Sequence, residues 1–220
     1  MYINGRDLSH YHGKLIREYV YGGTPLGNMY FQGRNRSAYV LQSQIIGLKT
    51  LELTIVFTGQ DQREAILHKS AFDAAVMGQI ELILGDGFGY TCHCDQLGAE
   101  TRVGEEMMEA SYSFSGIRHG DWMKTSGKTI YNPGTLPKSD CILTVTVGAD
   151  ASLYPLGSIT FHDVEAGEKL VVDGINKRIL VDGVPDAKRA SWTEFPYLIP
   201  GKNGIDCRDT PTVEFYPCYL

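Results

Sequence analysis

The chain has 220 residues, of which 43% are hydrophobic and 21% charged, proportions of a folded protein and not of a disordered one, with length for one large β domain or two of roughly 100 residues. A formal charge of −6 excludes a protein that grips nucleic acid through its phosphates, which requires clustered Lys and Arg, yet suits a surface past which DNA slides. No apolar run of about 20 residues is present to span a bilayer, Met1–Asp7 carries no secretory pattern, and five cysteines without framework spacing indicate reduced thiols and synthesis in a cytoplasm.

Residues 1 to about 35 are rich in Tyr, Gly and Arg and show little periodicity; a short strand near Met1–Ile3 and a long loop through Gly22-Gly23-Thr24-Pro25 are expected. Asn28-Met29-Tyr30-Phe31-Gln32-Gly33 resembles a protease-tag scar, but it is internal and lacks the acidic residue such a site needs, so it reads as native. Residues 38–46 read as a strand. In Leu51–Thr58, Leu51, Leu53, Ile55 and Phe57 share one face at period two. The period then changes. Asp61 is a suitable N-cap with Glu64 three residues on, and Gly78 suits the position after a helix end, which predicts a helix over about Gln62–Met77. Its apolar stripe is Leu67, Ala71, Ala74 and Ala75, widened by Phe72 and Val76, a small-residue face expected to lie close to a sheet or a neighbouring subunit.

Ile80–Leu84, the glycine-rich 85–89 and Tyr90–Asp95 read as strand, tight turn and strand. Glu109–Ser115 alternates, with Ala110, Tyr112 and Phe114 on one face. Glycines and prolines over 119–138 break the pattern and mark the expected domain boundary, between residues 1–123 and 124–220. Beyond it only strands are expected. Cys141, Leu143, Val145 and Val147 alternate, 157–161 is a short strand, the Val-Asp-Gly copies at 172–174 and 181–183 flank a hairpin, 200–204 is a turn, and Thr212–Tyr219 is the last strand. This pattern points to a β-sandwich or jelly roll.

Residues that could carry chemistry have simpler readings. Cys92-His93-Cys94 is too tight for ordinary zinc chelation, because on a strand the two thiols share a face and His93 points away; a site would need Cys141, Cys207 or Cys218 to converge. His10 and His12 share a face only if their segment is extended. Gly85-Asp86-Gly87-Phe88-Gly89 superficially matches a phosphate loop, but the next residues, Tyr90-Thr91-Cys92, favour a strand and not a helix. Asp61 and Glu64 are explained by capping, and Glu105 and Glu106 would point to opposite faces of a strand. Trp192, Phe195, Tyr197 and Tyr216 could stack on a sugar, although such aromatics more often fill a β core or an interface. No catalytic, cofactor-binding or metal residue is therefore assigned, and no enzyme activity or cofactor is expected.

The order of these segments resembles the distal tail protein (Dit) family of siphophages. Leu51–Thr58, Asp61–Gly78 and Ile80–Asp86 are similar in layout to that family's first domain. Tyr131-Asn132-Pro133-Gly134-Thr135 with Pro137, then 157–161, 168–174, 178–183 and 195–203, are similar to its second. The set covers most of 51–220, and no single motif is diagnostic. The resemblance implies a mainly β (α+β) fold: an N-terminal tail-tube-like β-sandwich or split barrel with one helix, then a C-terminal galectin-like β-sandwich. It further implies a hexameric ring around the DNA channel at the virion tail tip, assembled in the bacterial host cytoplasm. Implied partners are the tail tube protein, a tail-tip hub, fibre or lysin protein, and a receptor-binding protein on the second domain, with no membrane contact and no specific DNA binding. The alternatives are a carbohydrate- or receptor-binding tail-tip module and a tail-tube subunit, the latter disfavoured by the additional domain.

Overall fold

In the computed structural model, which describes residues 1–16 and 19–220, alternating apolar side chains build sheets in two units, Met1–Arg118 with Leu220, and His119–Tyr219. The chain is mainly β, with one α-helix among the described residues.

The central sheet of the first unit runs, in spatial order, Arg6–Asp7, Tyr2–Ile3, Gln79–Ile83, Gly89–Arg102, Met107–His119, Lys49–Thr58 and Gly13–Leu15. Leu51, Leu53, Ile55 and Phe57 are buried, as their period requires. Across the ladder Tyr112 lies opposite Leu53 and Phe114 opposite Leu51. Asp61 caps the helix Gln62–Ala75 by accepting the Glu64 amide at 2.8 Å. The Glu64 carboxylate turns back to the amide of Gln60, one residue earlier than in a capping box. Gly78, at φ +79°, reverses the chain into the next strand.

The buried face of the helix differs from the expected one. Ala65, Lys69, Phe72 and Val76 are buried, whereas Leu67, Ala71 and Ala74 are exposed. The reason is aromatic. Phe72 meets Tyr112 at 4.9 Å, Phe57 at 5.3 Å and Tyr11 at 5.7 Å between ring centroids, and burying a ring contributes more than burying alanines. With Phe72 inward, Lys69 is carried inward too. Its ammonium is accommodated by Asp73 at 2.6 Å and Glu100 at 3.5 Å, and Tyr112 donates to Asp73 at 2.8 Å. Burial, and then that bond, pushes the Tyr112 phenol far above its ordinary value.

Two strands of this unit differ from the sequence expectation. Leu26–Gln32 forms a strand where little order was expected, and pairs with Tyr39–Ile46. Gly89–Arg102 continues well past Asp95.

In the second unit, one sheet runs Met123–Ser126, Thr212–Phe215, Ser139–Thr146, Lys169–Asp173, Arg178–Val181 and Val184–Pro185, and another runs Ala151–Leu156, Ile159–Val164 and Ala190–Trp192. Leu143, Val145 and Phe215 of the first share a core with Tyr154, Leu156 and Phe161 of the second. The sheets therefore enclose one sandwich interior. The 119–138 segment is not a bare connector, since Met123–Ser126 and Thr129–Asn132 are strands within this unit. Residues 200–204, expected as a turn, contain the strand Gly201–Gly204, paired with Thr129–Asn132. Asn203 fastens it: its side chain accepts the Ile199 amide and donates to the carbonyls of Ile199 and Gly201. The strand expected over Thr212–Tyr219 is divided at Pro217, which cannot donate to a ladder, into Thr212–Phe215 and Cys218–Tyr219. Gly174 is required by close approach, since a Cβ there would lie 2.5 Å from the Pro196 carbonyl.

Two substitutions test this account. Lys69→Ala leaves Asp73 largely buried without its cation, so equilibrium unfolding in urea should show a loss of about 3 kcal/mol. Tyr154 donates to Asp209 at 2.7 Å, and this bond, with the Gly148 amide, holds the Asp209 carboxyl below its usual range. A lowered carboxylate pKa contributes stability above the unfolded value of about 4 and loses it as pH falls through the folded value. Tyr154→Phe should therefore cost about 1 kcal/mol at pH 7, and the difference from wild type should shrink in acid.

Candidate functional site

The sequence candidates for chemistry are dispersed and mostly committed to structure. Cys92 is buried on Gly89–Arg102, His93 is exposed, and Cys94 is half-buried with its thiol on the Gln96 carbonyl. Burial pushes the Cys92 thiol up to about 12, and likewise Cys141. Among the described residues no group of three His, Cys, Asp or Glu side chains converges to hold a metal. His10 and His12 do not share an extended face. Leu8–Tyr11 is a 3-10 turn, and His12, at φ +51°, closes it and stacks on His68 at 4.0 Å.

The 85–89 loop is a hairpin turn, with Gly85 and Gly87 at positive φ. Its Asp86 accepts from the hydroxyls of Tyr21 and Tyr90 and from the Phe88 amide. Burial acts to raise the Asp86 pKa, but these donors outweigh it and hold the carboxyl below its ordinary range. Glu105 and Glu106 are not on a strand. They lie exposed in the turn between Gly89–Arg102 and Met107–His119.

The second-unit aromatics do not form one platform. Trp192 and Phe195 lie 6.1 Å apart. The Lys138 ammonium sits 3.9 Å over the Tyr197 ring and 3.0 Å from Glu194, which also accepts from Tyr197. Tyr216 is engaged separately by His119 and Trp122. A groove of about 370 Å³ passes Glu194, Pro196, Tyr197 and Ser158, where Tyr197 donates to the Glu194 carboxylate and Ser158 to the Glu194 carbonyl.

The surface that calls for a partner is one that sequence reasoning missed. Leu26–Gln32 and Tyr39–Ile46 form a ribbon that pairs with no other strand among the described residues. A bulge between Met29 and Tyr30 shifts the register, so that Met29, Phe31, Val40 and Ile45 share one face, while Asn28, Tyr30, Gln32, Tyr39, Leu41 and Gln44 share the other and line a groove of about 440 Å³. Apart from the half-buried Ile46, the large apolar side chains of the ribbon are 49–71% exposed. A two-stranded ribbon is at best marginally stable alone, and clustered exposed apolar groups mark an interaction surface. The available signal was 21 residues, 26–46, without one carboxylate and with Leu, Met, Tyr, Phe, Val and Ile throughout.

Among solved structures, the Dit protein of phage SPP1, described as a paradigm of hub adsorption apparatus in phages infecting Gram-positive hosts, is similar over 99% of this chain and 98% of its own, with TM-score 0.77 and 13% identity. A chain of the phage p2 baseplate, in its activated conformation with Sr, is similar over 96% and 92%, with TM-score 0.50 and 8% identity. No family model and no curated protein matches the chain. The chain thus has the fold of a distal tail protein, the fold that the sequence resemblance implied.

The thiol environments make a direct prediction. In the native protein at pH 8, iodoacetamide should label Cys94 well before Cys92 and Cys141, as read by peptide mass spectrometry. Equal rates would place Cys92 and Cys141 outside the cores.

Proposed function

We propose that the chain is a non-enzymatic distal tail protein of a long-tailed phage, located at the virion tail tip and assembled in the host cytoplasm. In this reading six first units, about residues 1–118, close into a tube-like ring around the DNA channel, between the tail tube protein and the tail-tip hub, fibre or lysin protein. The second unit is a galectin-like sandwich to which a receptor-binding protein attaches. The observation that carries the reading is the fold likeness, which spans both units and nearly the whole of each chain.

The physical chemistry agrees. The ribbon 26–46 exposes more apolar surface than a monomer needs, and cyclic assembly provides cover for it. The net charge of −6, multiplied around a ring, gives a lumen that repels phosphates and lets DNA pass without sticking.

The test is assembly. Six copies of 24.4 kDa give about 146 kDa, or twice that if two rings stack back to back. Sedimentation velocity should show that species, and negative-stain images should show rings with a central hole. A monodisperse monomer at high concentration would overturn the proposal.

A further inference from the structure

Resting on that reading, we propose that the ribbon 26–46 docks on a second copy of this chain, with its arginine-bearing tip against the acidic hairpin end, residues 99–107, of the neighbour. The contact is head-to-tail: each copy gives its ribbon to one neighbour and its acidic hairpin to the other.

The first argument is cover. Both faces of the ribbon are exposed, with Phe31 at 64% on one and Tyr39 at 65% on the other, so its own chain does not bury them. The second argument is charge. Residues 26–46 carry Arg34 and Arg36 and no Asp or Glu, a net +2. Since the chain is −6 in total, the remaining residues sum to −8. Arg34 and Arg36 are both exposed beside the turn, and neither takes part in an ion pair among the described residues.

The proposed receptor has the opposite sign and the same apolar character. Residues 99–107 carry Glu100, Glu105 and Glu106 against Arg102, a net −2; Glu100 is engaged by Lys69 and Arg102 donates to the Gly104 carbonyl, while Glu105 and Glu106 are exposed at the hairpin turn, with Val103 and Met107 beside them 51% and 39% exposed. An apolar ribbon with a basic tip therefore meets an apolar hairpin end with an acidic rim. The charges also decide the symmetry. Tip-to-tip pairing of two ribbons would bring four arginines together, and like charges in register disfavour that arrangement. A contact between two different patches is heterologous, and such a contact forms a ring where its rotation closes.

The experiment is a charge swap in the full chain, read by sedimentation velocity. Arg34→Glu with Arg36→Glu should raise the concentration needed for assembly at least about tenfold, as should Glu105→Arg with Glu106→Arg. Mixing the two variants one to one should restore rings, because a ring that alternates them has opposite charges at every contact. Assembly of wild type should weaken as NaCl rises. All four positions are exposed, so melting temperatures should be unchanged. If a variant does melt early, Arg34→Gln with Arg36→Gln should show a smaller loss in the same direction. If both variants assemble like wild type, or if mixing fails to restore rings, the pairing is wrong while the ring stands. Loss of tube-protein binding with rings intact would assign the ribbon to that partner and overturn the proposal. A wild type that never assembles would remove the ring reading itself.

Discussion

A β-ribbon with an apolar face is stable only when something lies over that face. Most of this chain meets the constraint internally. In the first unit the helix, anchored through Phe72, covers Phe57 and Tyr112. In the second, Tyr154, Leu156 and Phe161 cover Leu143, Val145 and Phe215 across the sandwich. The ribbon 26–46 leaves the same requirement unmet within the monomer. The fold is thereby divided between elements complete in one copy and an element whose free energy of burial becomes available only on association.

The polar interior obeys the same division. Asn132 is fully buried, and its side chain is used on the Gly134 amide, the Ser139 hydroxyl and the Leu198 carbonyl. Asp73 is shared by Lys69 and Tyr112, and Asp86 by two tyrosines. Perturbed carboxylates and phenols of this kind can mark an active site. Here burial acts first to raise both the Tyr112 phenol and the Asp86 carboxyl; the Asp73 contact raises Tyr112 further, while the tyrosine and amide donors outweigh burial at Asp86 and lower it, and these contacts fasten one strand or turn to another. Such networks give a sheet a single register.

Sequence patterning was most legible where a single physical rule acts alone. Period-two alternation identified Leu51–Thr58, Cys141–Val147 and the Val-Asp-Gly hairpin, and the Asp61 side chain and Gly78 marked the helix ends. It failed where rules compete. Of the expected stripe Phe72 and Val76 are buried and Ala75 packs on the core, whereas Leu67, Ala71 and Ala74 stay outside and Ala65 and Lys69 take their place. The choice was made by contacts from Tyr11, Phe57 and Tyr112, all distant in sequence, and by carboxylates at 73 and 100 that make a buried Lys69 tolerable. Gly201–Gly204 has the composition of a turn and becomes a strand because Asn203 supplies local bonds and Thr129–Asn132 supplies a ladder. The ribbon was half visible, since residues 38–46 were read as a strand while its partner lay in a segment without alternation. Alternation encodes one face turned toward solvent and one toward a core, and this ribbon has apolar side chains on both faces.

The charge distribution is understandable on the same grounds. An acidic protein whose only carboxylate-free stretch of this length is also its most exposed apolar stretch has placed its attraction and its repulsion in different regions. Repulsion between acidic bodies keeps free copies soluble and opposes contacts in arbitrary orientations. Attraction confined to a basic ribbon selects the orientations in which the ribbon meets acid. Apolar burial supplies the affinity, which area alone does not aim, and electrostatics supply the direction. If the chain closes into the proposed ring, direction is the scarcer property, because the contact must stop at a closed ring and not extend into aggregates. A surface of few charges, placed beside the apolar groups they orient, achieves it with little desolvation cost, because rim charges remain in contact with water.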